Sequence, residues 1–332
     1  MSKKKIMIIG GAAVAVIAIV VTLLLVFSKD ASYRVIKVFD MEGVATVTRE
    51  GVGDLEAYEG MTLESGDKLS VDANSSLVLL MDEDKYGYVE ENSILIMIAE
   101  GDTRDSKTTI ELERGAITCH VDGKLNSSSS YEVHTQNSVM AVRGTVFRVE
   151  YCGPEQLSGR DFSTGVPANI QNQYNSGKLS NGFTRTTVFE GTVSATLINV
   201  DGTTGKTVIL DEGKECWIGS NPSENFFLLE DTNIYSGSLP KTTVKALKTI
   251  AEEYNVILSI NNTEINNLLN QIESQQTYEV YFYANGRLFG RQTVDAGSIL
   301  KTPQLNPTEK GYWNIDLTKT INADTEVYWV AQ

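Results

Sequence analysis

A long apolar run near the N-terminus constrains this chain more than any other feature. Ile6–Phe27 is 22 residues long and contains no charged side chain. An α-helix needs about 20 apolar residues to cross the hydrocarbon core of a bilayer. Lys3, Lys4 and Lys5 precede the run, and positive residues are enriched on the cytoplasmic side of membrane helices. The run therefore predicts a single-pass transmembrane helix with a cytoplasmic N-terminus and an extracellular C-terminus.

A cleaved signal peptide is the alternative interpretation of this run. The apolar part of a signal peptide is about 7–15 residues long and ends in small residues of an A-x-A-like pattern. Here the run is longer, and residues 26–30 contain no such pair. A buried core helix is disfavoured because the run has no polar face. We therefore expect residues 1–29 to form a cytosolic stub and an uncleaved anchor in the cell membrane.

The remainder of the chain is acidic. Four of the 28 lysine and arginine residues lie at positions 3–5 and 29, so the part from residue 30 onward has 24 basic against 43 acidic residues, a net charge of −19. Such a charge repels nucleic-acid phosphates and anionic lipid headgroups. We expect no nucleic-acid partner, and membrane contact only through the Ile6–Phe27 helix.

Short alternating or β-branched segments dominate residues 33–230. Strands are predicted at Gly43–Val47, Ser76–Leu80, Thr109–Glu113 and Gly144–Glu150, and glycines recur between them. Strands of this length and spacing predict a mainly β domain, built as a sandwich, a barrel, or a rolled sheet or β-solenoid.

Residues 152–184 interrupt this β pattern. They are rich in Gly, Asn, Ser and Gln and carry few charges. Loops longer than about 12–15 residues are usually functional or disordered. The segment is either a flexible insertion, which we favour, or a binding loop.

A short α-helical connector is predicted at 238–276, where Pro240 suits a first helical turn. Between its two helices, Asn255–Ile260 resembles a strand, and Asn262 or Thr263 is the expected cap of the second helix. Each predicted helix has apolar residues at helical spacing. In the first helix they are Val244, Leu247, Ile250, Ala251 and Tyr254. In the second they are Ile265, Leu268, Leu269 and Ile272.

Residues 278–332 are β-rich again and are long enough to fold as a small separate domain. The first strand is predicted at Tyr278–Tyr283 and the last at Thr325–Val330. At least one of the adjacent rings of Tyr312 and Trp313 is expected in its core. A polar linker at 274–276 separates this unit from the helices.

Four segments in order resemble a FecR-type extracytoplasmic domain over residues of about 40–218. They are Glu59–Leu69 with Asn74–Leu79, Val139–Val149, Val188–Val193 and Val208–Lys214. The resemblance implies an all-β domain outside the cytoplasmic membrane. In the founding members that domain works in transmembrane signalling, and a cytosolic segment controls a sigma factor. This sequence has no such cytosolic segment before its apolar run, so that part of the role does not carry over.

The C-terminal unit is similar to an internalin B-type (Listeria–Bacteroides) repeat over residues of about 278–331. The residues that carry the similarity are Tyr281–Gly286, Gln292–Gly297, Pro303 with Pro307–Trp313, and Thr325–Val330. The similarity implies a small β-grasp-like module of the kind found in surface proteins.

Arg143, Gly144 and Thr145 form the one candidate motif of the chain. A glycine at this place supplies a turn or a bulge, and a partly buried arginine satisfies nearby carbonyl groups. A structural role is therefore favoured, while ligand recognition stays an open alternative.

No catalytic or metal-binding pattern stands out. The motifs G-x-S-x-G, G-x-x-x-x-G-K-[ST] and H-E-x-x-H are absent, and nothing selects a pair among the 43 carboxylates. His120 and His134 with Cys119 and Cys152 lack zinc-site spacing; Cys119 is expected in the core and His120 on the outward side of its strand. With Cys216 there are three cysteines, enough for one disulfide and one free thiol. We expect no catalytic residues, no metal and no cofactor.

Three functional hypotheses follow. The favoured one is a membrane-anchored extracytoplasmic binding or adaptor protein that engages cell-wall or surface-protein partners. The second is a sensory subunit of a transmembrane signalling system that acts through a membrane partner. The third, which we disfavour, is a carboxylate-dependent hydrolase.

Overall fold

The computed structural model describes residues 34–102, 105–123, 125–157, 166–273, 277–284, 286–295, 298–300, 302, 311–316, 321 and 324–331. The predicted anchor Ile6–Phe27 lies outside this set. None of the helices in the described part has the length and apolar character needed to span a membrane.

A mainly β domain occupies residues 36–233, as the sequence predicts. Strands β1 to β9 are Ile36–Glu42, Ala45–Arg49, Gly53–Glu56, Thr62–Leu63, Lys68–Val71, Ser76–Met81, Lys85–Val89, Ile94–Glu100 and Lys107–Val121. Strands β10 to β17 are Ser130–His134, Ser138–Val142, Thr145–Cys152, Gly182–Glu190, Thr192–Ile198, Thr204–Asp211, Lys214–Ser220 and Asn225–Asn233. The four strand predictions in this region are confirmed: three agree to within about two residues at each end, and the fourth, Thr109–Glu113, is the first part of the longer β9.

These strands form two packed sheets that share β9. Sheet A runs β1-β6-β7-β9-β12-β13-β16-β17. Sheet B runs β3-β2-β5-β8-β9-β10-β11-β14-β15. Of these ladders only β9–β10 is parallel. This arrangement is a rolled antiparallel sheet and not a β-solenoid, because neighbouring strands of a solenoid run parallel.

Strand β9 bends at Gly115 and thereby passes from sheet B to sheet A. Gly115 has a φ of +87°, and a Cβ atom there would lie 2.3 Å from the Ser93 hydroxyl oxygen. That hydroxyl accepts a hydrogen bond from the Ala116 N–H at 3.0 Å and donates one to the Ala116 carbonyl at 3.2 Å. Only glycine combines this backbone conformation with such close packing, so the bend is fixed by the sequence.

Alternation along the strands supplies the core between the two sheets. On β9, Ile110 and Leu112 point inward and are buried, whereas Glu111 and Glu113 are exposed. Period-two alternation buries one face of each strand, and every fully buried aliphatic side chain contributes about 1.5–3 kcal/mol. Among the residues that the structure describes, the largest hydrophobic cluster lies here.

The 152–184 segment is packed, and the prediction of a flexible insertion is wrong for its described residues, 152–157 and 166–184. It contains the short helix α1 (Pro154–Leu157) and helix α2 (Ala168–Asn175). Buried side chains form a cluster on the outer face of sheet A, namely Cys152, Leu157, Ile170, Leu179, Phe183 and Trp217. Ile170 is the one buried residue of helix α2. The sequence therefore lacks the repeated apolar positions from which an amphipathic helix is predicted.

Helices α3 (Lys241–Glu253) and α4 (Asn262–Glu273) occupy the predicted helical segment. The α4 cap is Asn261, one residue before the predicted position, since its Oδ1 accepts from the Glu264 N–H at 3.0 Å. Both helices pack on the outer face of sheet A, in a cluster that includes Val146, Phe189, Val244, Leu247, Ile250, Ile265 and Leu269.

The strand predicted at Asn255–Ile260 is wrong. Asn255 adopts a φ of +56°, the left-handed conformation that commonly ends a helix. Leu258 and Ile260 are buried, but Ile257 is 89% exposed. The segment alternates like a strand and is nevertheless a loop, because Ser259 N–H to the Phe189 carbonyl (2.7 Å) is its one hydrogen bond to the sheet among the described contacts.

A second, four-stranded sheet follows, with a core of its own. Its strands are β18 (Thr277–Ala284), β19 (Arg287–Asp295), β20 (Gly311–Trp313) and β21 (Thr325–Ala331), in the order β19-β18-β21-β20. The central pair β18–β21 is parallel and the outer pairs are antiparallel. Its core consists of Val280, Phe282, Val294, Leu300, Trp313, Ile321 and Val327. Trp313 is thus the ring that closes the core, and Tyr312 is exposed.

Candidate functional site

The Arg143-Gly144-Thr145 motif forms the corner where the chain leaves sheet B after β11 and enters sheet A at β12. Gly144 has a φ of +102°, which favours glycine. Thr145 is buried, and its hydroxyl donates to the Thr192 carbonyl at 3.3 Å. Arg143 is exposed. The Gly-Thr part therefore builds the corner, and a ligand role for Arg143 stays a prediction.

A groove opens at the end of the sandwich where β9 bends. It has a volume of about 610 Å³ and is lined by residues 111–114, 134–136, Tyr151 and 153–156. Leu112 and Tyr151 form an apolar floor, because both are buried core residues at the point where the sheets diverge. Residues 111–114, directly before the bend at Gly115, and residues 154–156 of helix α1 are part of its lining.

The rim of this groove is polar and is held by hydrogen bonds. The Tyr151 hydroxyl donates to Gln136 Oε1, and burial raises the Tyr151 pKa to about 12, so the phenol stays neutral. His134 Nε2 lies 2.7 Å from Glu132 Oε2. Glu111 and Arg114 are exposed at the lip. An apolar floor with a few fixed polar groups is the usual composition of a small-molecule or peptide site.

The histidines and cysteines do not come together. His134 lies on sheet B, while His120 lies on the outward face of sheet A, as expected for its strand position, and is buried there at 2% exposure. No group of three or more His, Cys, Asp or Glu side chains is placed to hold a metal ion within the described part of the chain. All three cysteines are buried. Burial raises the pKa of Cys119 and of Cys216 to about 12, so both behave as small apolar side chains.

A row of buried charges crosses the outer face of sheet A, and the sequence analysis did not identify it. Its members are Glu90, Arg148, Glu150, Arg185 and Glu215, all at most 7% exposed. We call this set the charged belt. Arg148 binds Glu90 through two hydrogen bonds, of 2.7 and 2.9 Å, and Glu150 through one of 2.8 Å. Burial alone would lower the Arg148 pKa, but the carboxylates of Glu90 and Glu150 outweigh it and the pKa is raised.

The second half of the charged belt is the Arg185–Glu215 pair. Arg185 donates to Glu215 Oε2 at 3.1 and 2.7 Å, and its guanidinium carbon lies 5.0 Å from the centre of the Trp217 ring. The Trp217 indole N–H donates to the other oxygen of Glu215 at 2.9 Å. Every carboxylate oxygen of Glu215 therefore has a partner, as a buried charge requires.

The charged belt is tied to residues 235–273, which we call the helical cover. The Thr243 hydroxyl, on α3, donates to Glu90 Oε1 at 2.5 Å and accepts from Arg148 Nε at 3.1 Å. Arg185 donates to the Ser238 hydroxyl at 2.6 Å and to the Tyr235 carbonyl at 3.0 Å. These bonds fix where the helical cover begins on the sheet.

The sequence signal for the charged belt was the alternation on β12 and β13. Arg148 and Glu150 alternate with core residues on β12, as Arg185 and Thr187 do on β13. Polar residues at alternate positions normally indicate a solvent-facing side. The one hint that this face is covered was its unusual content, because Arg185 lies directly opposite Glu150 on the paired strands β13 and β12.

Comparisons with known proteins give one family match. Residues 67–158 match the model described as FecR protein, which is less than a third of the chain. No curated protein matches the chain. Two crystal structures of an anti-sigma factor candidate from Parabacteroides distasonis are similar at a TM-score of 0.34 each. The first has 10% identity and covers 80% of this chain and 99% of its own; the second has 13% identity and covers 67% and 96%. A similarity of this size carries no argument about function.

The matched segment coincides with the groove. It runs from β5 through the shared strand β9 to the end of α1, and every residue that lines the groove lies within it. The FecR resemblance is confirmed for this part of the domain. The internalin B-type similarity of the C-terminal unit stays a prediction.

Proposed function

We propose that this protein is an extracytoplasmic sensory component of a transmembrane signalling system, in which a ligand enters the groove beside β9 and the signal passes to a partner in the membrane. Anchoring by Ile6–Phe27, with the C-terminus outside the cell, is part of the proposal. No catalytic step is assigned to it.

The observation that carries the proposal is the coincidence of the FecR match with the groove. The matched residues build the centre of both sheets and supply the whole lining of the groove. FecR-type domains serve transmembrane signalling, so a ligand site confined to that part of the chain supports a sensory role. The groove also lies at the bend of β9, the one strand common to both sheets, so a ligand there touches the element that joins them.

Transcript profiling of cells with altered grooves tests the sensory role. Deleting the gene should change a defined set of transcripts. Glu111→Trp places a large ring at an exposed position on the lip of the groove and should reproduce the deletion profile. Thr109→Trp is the matched control, because Thr109 lies two residues earlier on the same face of β9 and does not line the groove.

The outcomes separate the parts of the proposal. A deletion that changes no transcripts overturns the sensory role. A changed profile in the deletion, with normal profiles in both tryptophan variants, overturns the groove as the ligand site. Protease treatment of intact, wall-stripped cells tests the topology: the part after Lys29 should be removed, and full protection contradicts the proposed orientation.

A second candidate function, adhesion to cell-wall or surface-protein partners, is favoured by the open face of the C-terminal sheet. The tyrosines at positions 281, 283, 312 and 328 lie on the face opposite the core. The rings of Tyr283 and Tyr328 stack at 5.2 Å, and Tyr312 and Tyr328 are 53% and 43% exposed. Exposed aromatic clusters of this kind mark interaction surfaces.

Capture from cell-wall fractions and surface-protein extracts tests the adhesion role. The full chain should retain a specific partner, and Tyr328→Ser together with Tyr312→Ser should lose it. The control pair Thr293→Ser and Thr325→Ser changes the same sheet without removing a ring. Equal retention by both double variants contradicts adhesion through this face.

A further inference from the structure

His120 occupies a closed aromatic site between sheet A and the helical cover. Tyr86 on β7 and Val146 on β12 are its neighbours across the two ladders. Tyr254, directly after α3, lies above it, with ring centroids 5.0 Å apart, and the Tyr86 ring stacks at 6.0 Å. The end of α3 therefore rests on an imidazole.

The site accommodates only the neutral form of that imidazole well. Nδ1 of His120 is buried and has no hydrogen-bond partner among the described residues. A protonated imidazole carries an N–H on both nitrogens, so protonation would leave the Nδ1–H donor unpaired and would also bury a positive charge. A buried donor without an acceptor and a buried charge without a counter-charge both cost free energy.

The neighbouring ionisable groups do not compensate. Burial lowers the pKa of His120, and Asp122, which raises it, is too weak to reverse the shift. Burial raises the pKa values of Tyr88 and Tyr254, which therefore stay neutral. The carboxylate of Glu253 acts on those two tyrosines, and Phe39, which packs edge-on against Tyr86 from β1, has no charge.

The contacts around His120 are also those that hold α3. Val244, Leu247 and Ile250 pack into the same cluster as Tyr86 and Tyr88, and the centre of the Tyr254 ring lies 4.9 Å from that of Tyr86. A charge at His120 is relieved only if water reaches it, and the cover that excludes water is Tyr254 with the last turn of α3.

We propose that His120 makes the attachment of the helical cover to sheet A sensitive to pH, so that uptake of a proton by the imidazole releases α3 from the sheet. The direction follows from linkage. Because the pKa of His120 is lower in the folded protein than the ordinary 6.5, its contribution to attachment is present above that value and is lost as the pH falls below it. The inference does not depend on the groove; in a sensory protein it adds acidity as a stimulus.

Histidine NMR on the full chain in detergent micelles measures the first half of the proposal. The protein has two histidines, so His134→Phe leaves one imidazole signal, that of His120. We expect it to titrate below 6.5, because burial lowers the pKa of His120. A His120 pKa at or above 6.5 overturns the proposal, whatever the variants do.

Hydrogen exchange followed by mass spectrometry measures the second half. Peptides from α3 should exchange faster at about pH 5 than at about pH 8, after correction for the intrinsic rate, in the full chain and in His134→Phe. Each unit by which the pKa is lowered corresponds to about a tenfold larger opening equilibrium.

His120→Phe keeps a ring in the site without a titratable group and should abolish the pH response of α3. The same response in His120→Phe, or acceleration in the β9 and β12 peptides equal to that in α3, contradicts the proposal. If the phenylalanine variant does not fold, His120→Gln serves in its place, and the NMR titration is unaffected.

Discussion

Two segments cover the outer face of sheet A, and different interactions attach them to it. Residues 152–157 and 166–184, which we call the insertion cover, pack through an apolar cluster around Ile170, Phe183 and Trp217. The helical cover has an apolar cluster of its own and two hydrogen bonds to the charged belt in addition: Thr243 donates to Glu90, and Ser238 accepts from Arg185. The stabilisation from apolar contacts is non-directional and varies with the apolar area that is buried. In a buried ion pair, by contrast, the loss of one partner leaves the other charge buried and uncompensated. The insertion cover should therefore tolerate small changes that the charged belt does not.

Loss of one charge from the belt should have the largest effect. Glu215→Gln removes the partner of Arg185 at a fully buried position and should cost about 3–5 kcal/mol, because it leaves a buried guanidinium uncompensated. Urea unfolding of the full chain, followed by circular dichroism, measures the change.

The matched control for that substitution is an exposed ion pair. Lys206 and Glu230 lie 2.5 Å apart with about half of each side chain exposed, so Glu230→Gln should cost about 0–1 kcal/mol. Equal losses in the two variants would show that the belt is no stronger than a surface pair.

Removal of apolar volume from the insertion cover should come next. Ile170→Ala takes a fully buried side chain out of the cluster and should cost about 2–4 kcal/mol, since transfer and cavity terms add. Asn172→Ala, at an exposed position of the same helix, should stay within about 0.5 kcal/mol. If both variants are neutral, α2 does not hold the insertion cover to the sheet.

Cutting the link between the belt and the helical cover should have a smaller effect. Thr243→Val keeps the shape of the side chain but removes the hydrogen bond to Glu90, and a hydrogen bond to a charged group contributes about 1.5–3 kcal/mol. Thr242→Val, one residue earlier on α3, is the control. The loss should appear in hydrogen exchange as weaker protection of α3; weaker protection of α2 instead would show that the two covers are coupled.

The smallest effect is expected at the corner that neither cover reaches. Arg143→Ala alters an exposed side chain and should change stability by less than about 0.5 kcal/mol. The same denaturation assay measures it. A large loss would mean that Arg143 supports the corner, whereas unchanged stability with an altered transcript profile would identify it as a ligand contact.

The parts of the fold that follow local rules were predictable. The alternation of Ile110 and Leu112 with Glu111 and Glu113 placed β9 and its buried face correctly. The spacing of Val244, Leu247 and Ile250 did the same for α3. Asn255–Ile260 was mistaken for a strand because alternation reports which side chains are buried, and a strand also needs a hydrogen-bonded neighbour along its length.

The candidate site was less accessible to sequence reasoning. Arg143-Gly144-Thr145 was recognised as a turn, and the structure shows which corner it makes. The groove was missed because its lining comes from three separate parts of the chain: 111–114, 134–136, and Tyr151 with 153–156. None of them carries a motif, and they meet only because Gly115 bends β9 beside helix α1.

The sequence by itself determined alternating strands such as β9, helices α3 and α4, and the apolar faces of these elements, since each depends on side chains within a few residues of one another. The tertiary structure alone decided that Arg148, Glu150, Arg185 and His120 are buried. These side chains lie on the outer face of sheet A, and the segment that covers them is distant in the sequence. Thr243, for example, donates a hydrogen bond to Glu90, which lies 153 residues earlier in the chain. A polar residue on a strand has the same local pattern in water and under a helix. Whether a charged residue on such a strand needs an oppositely charged partner depends on whether another segment packs over it and excludes water.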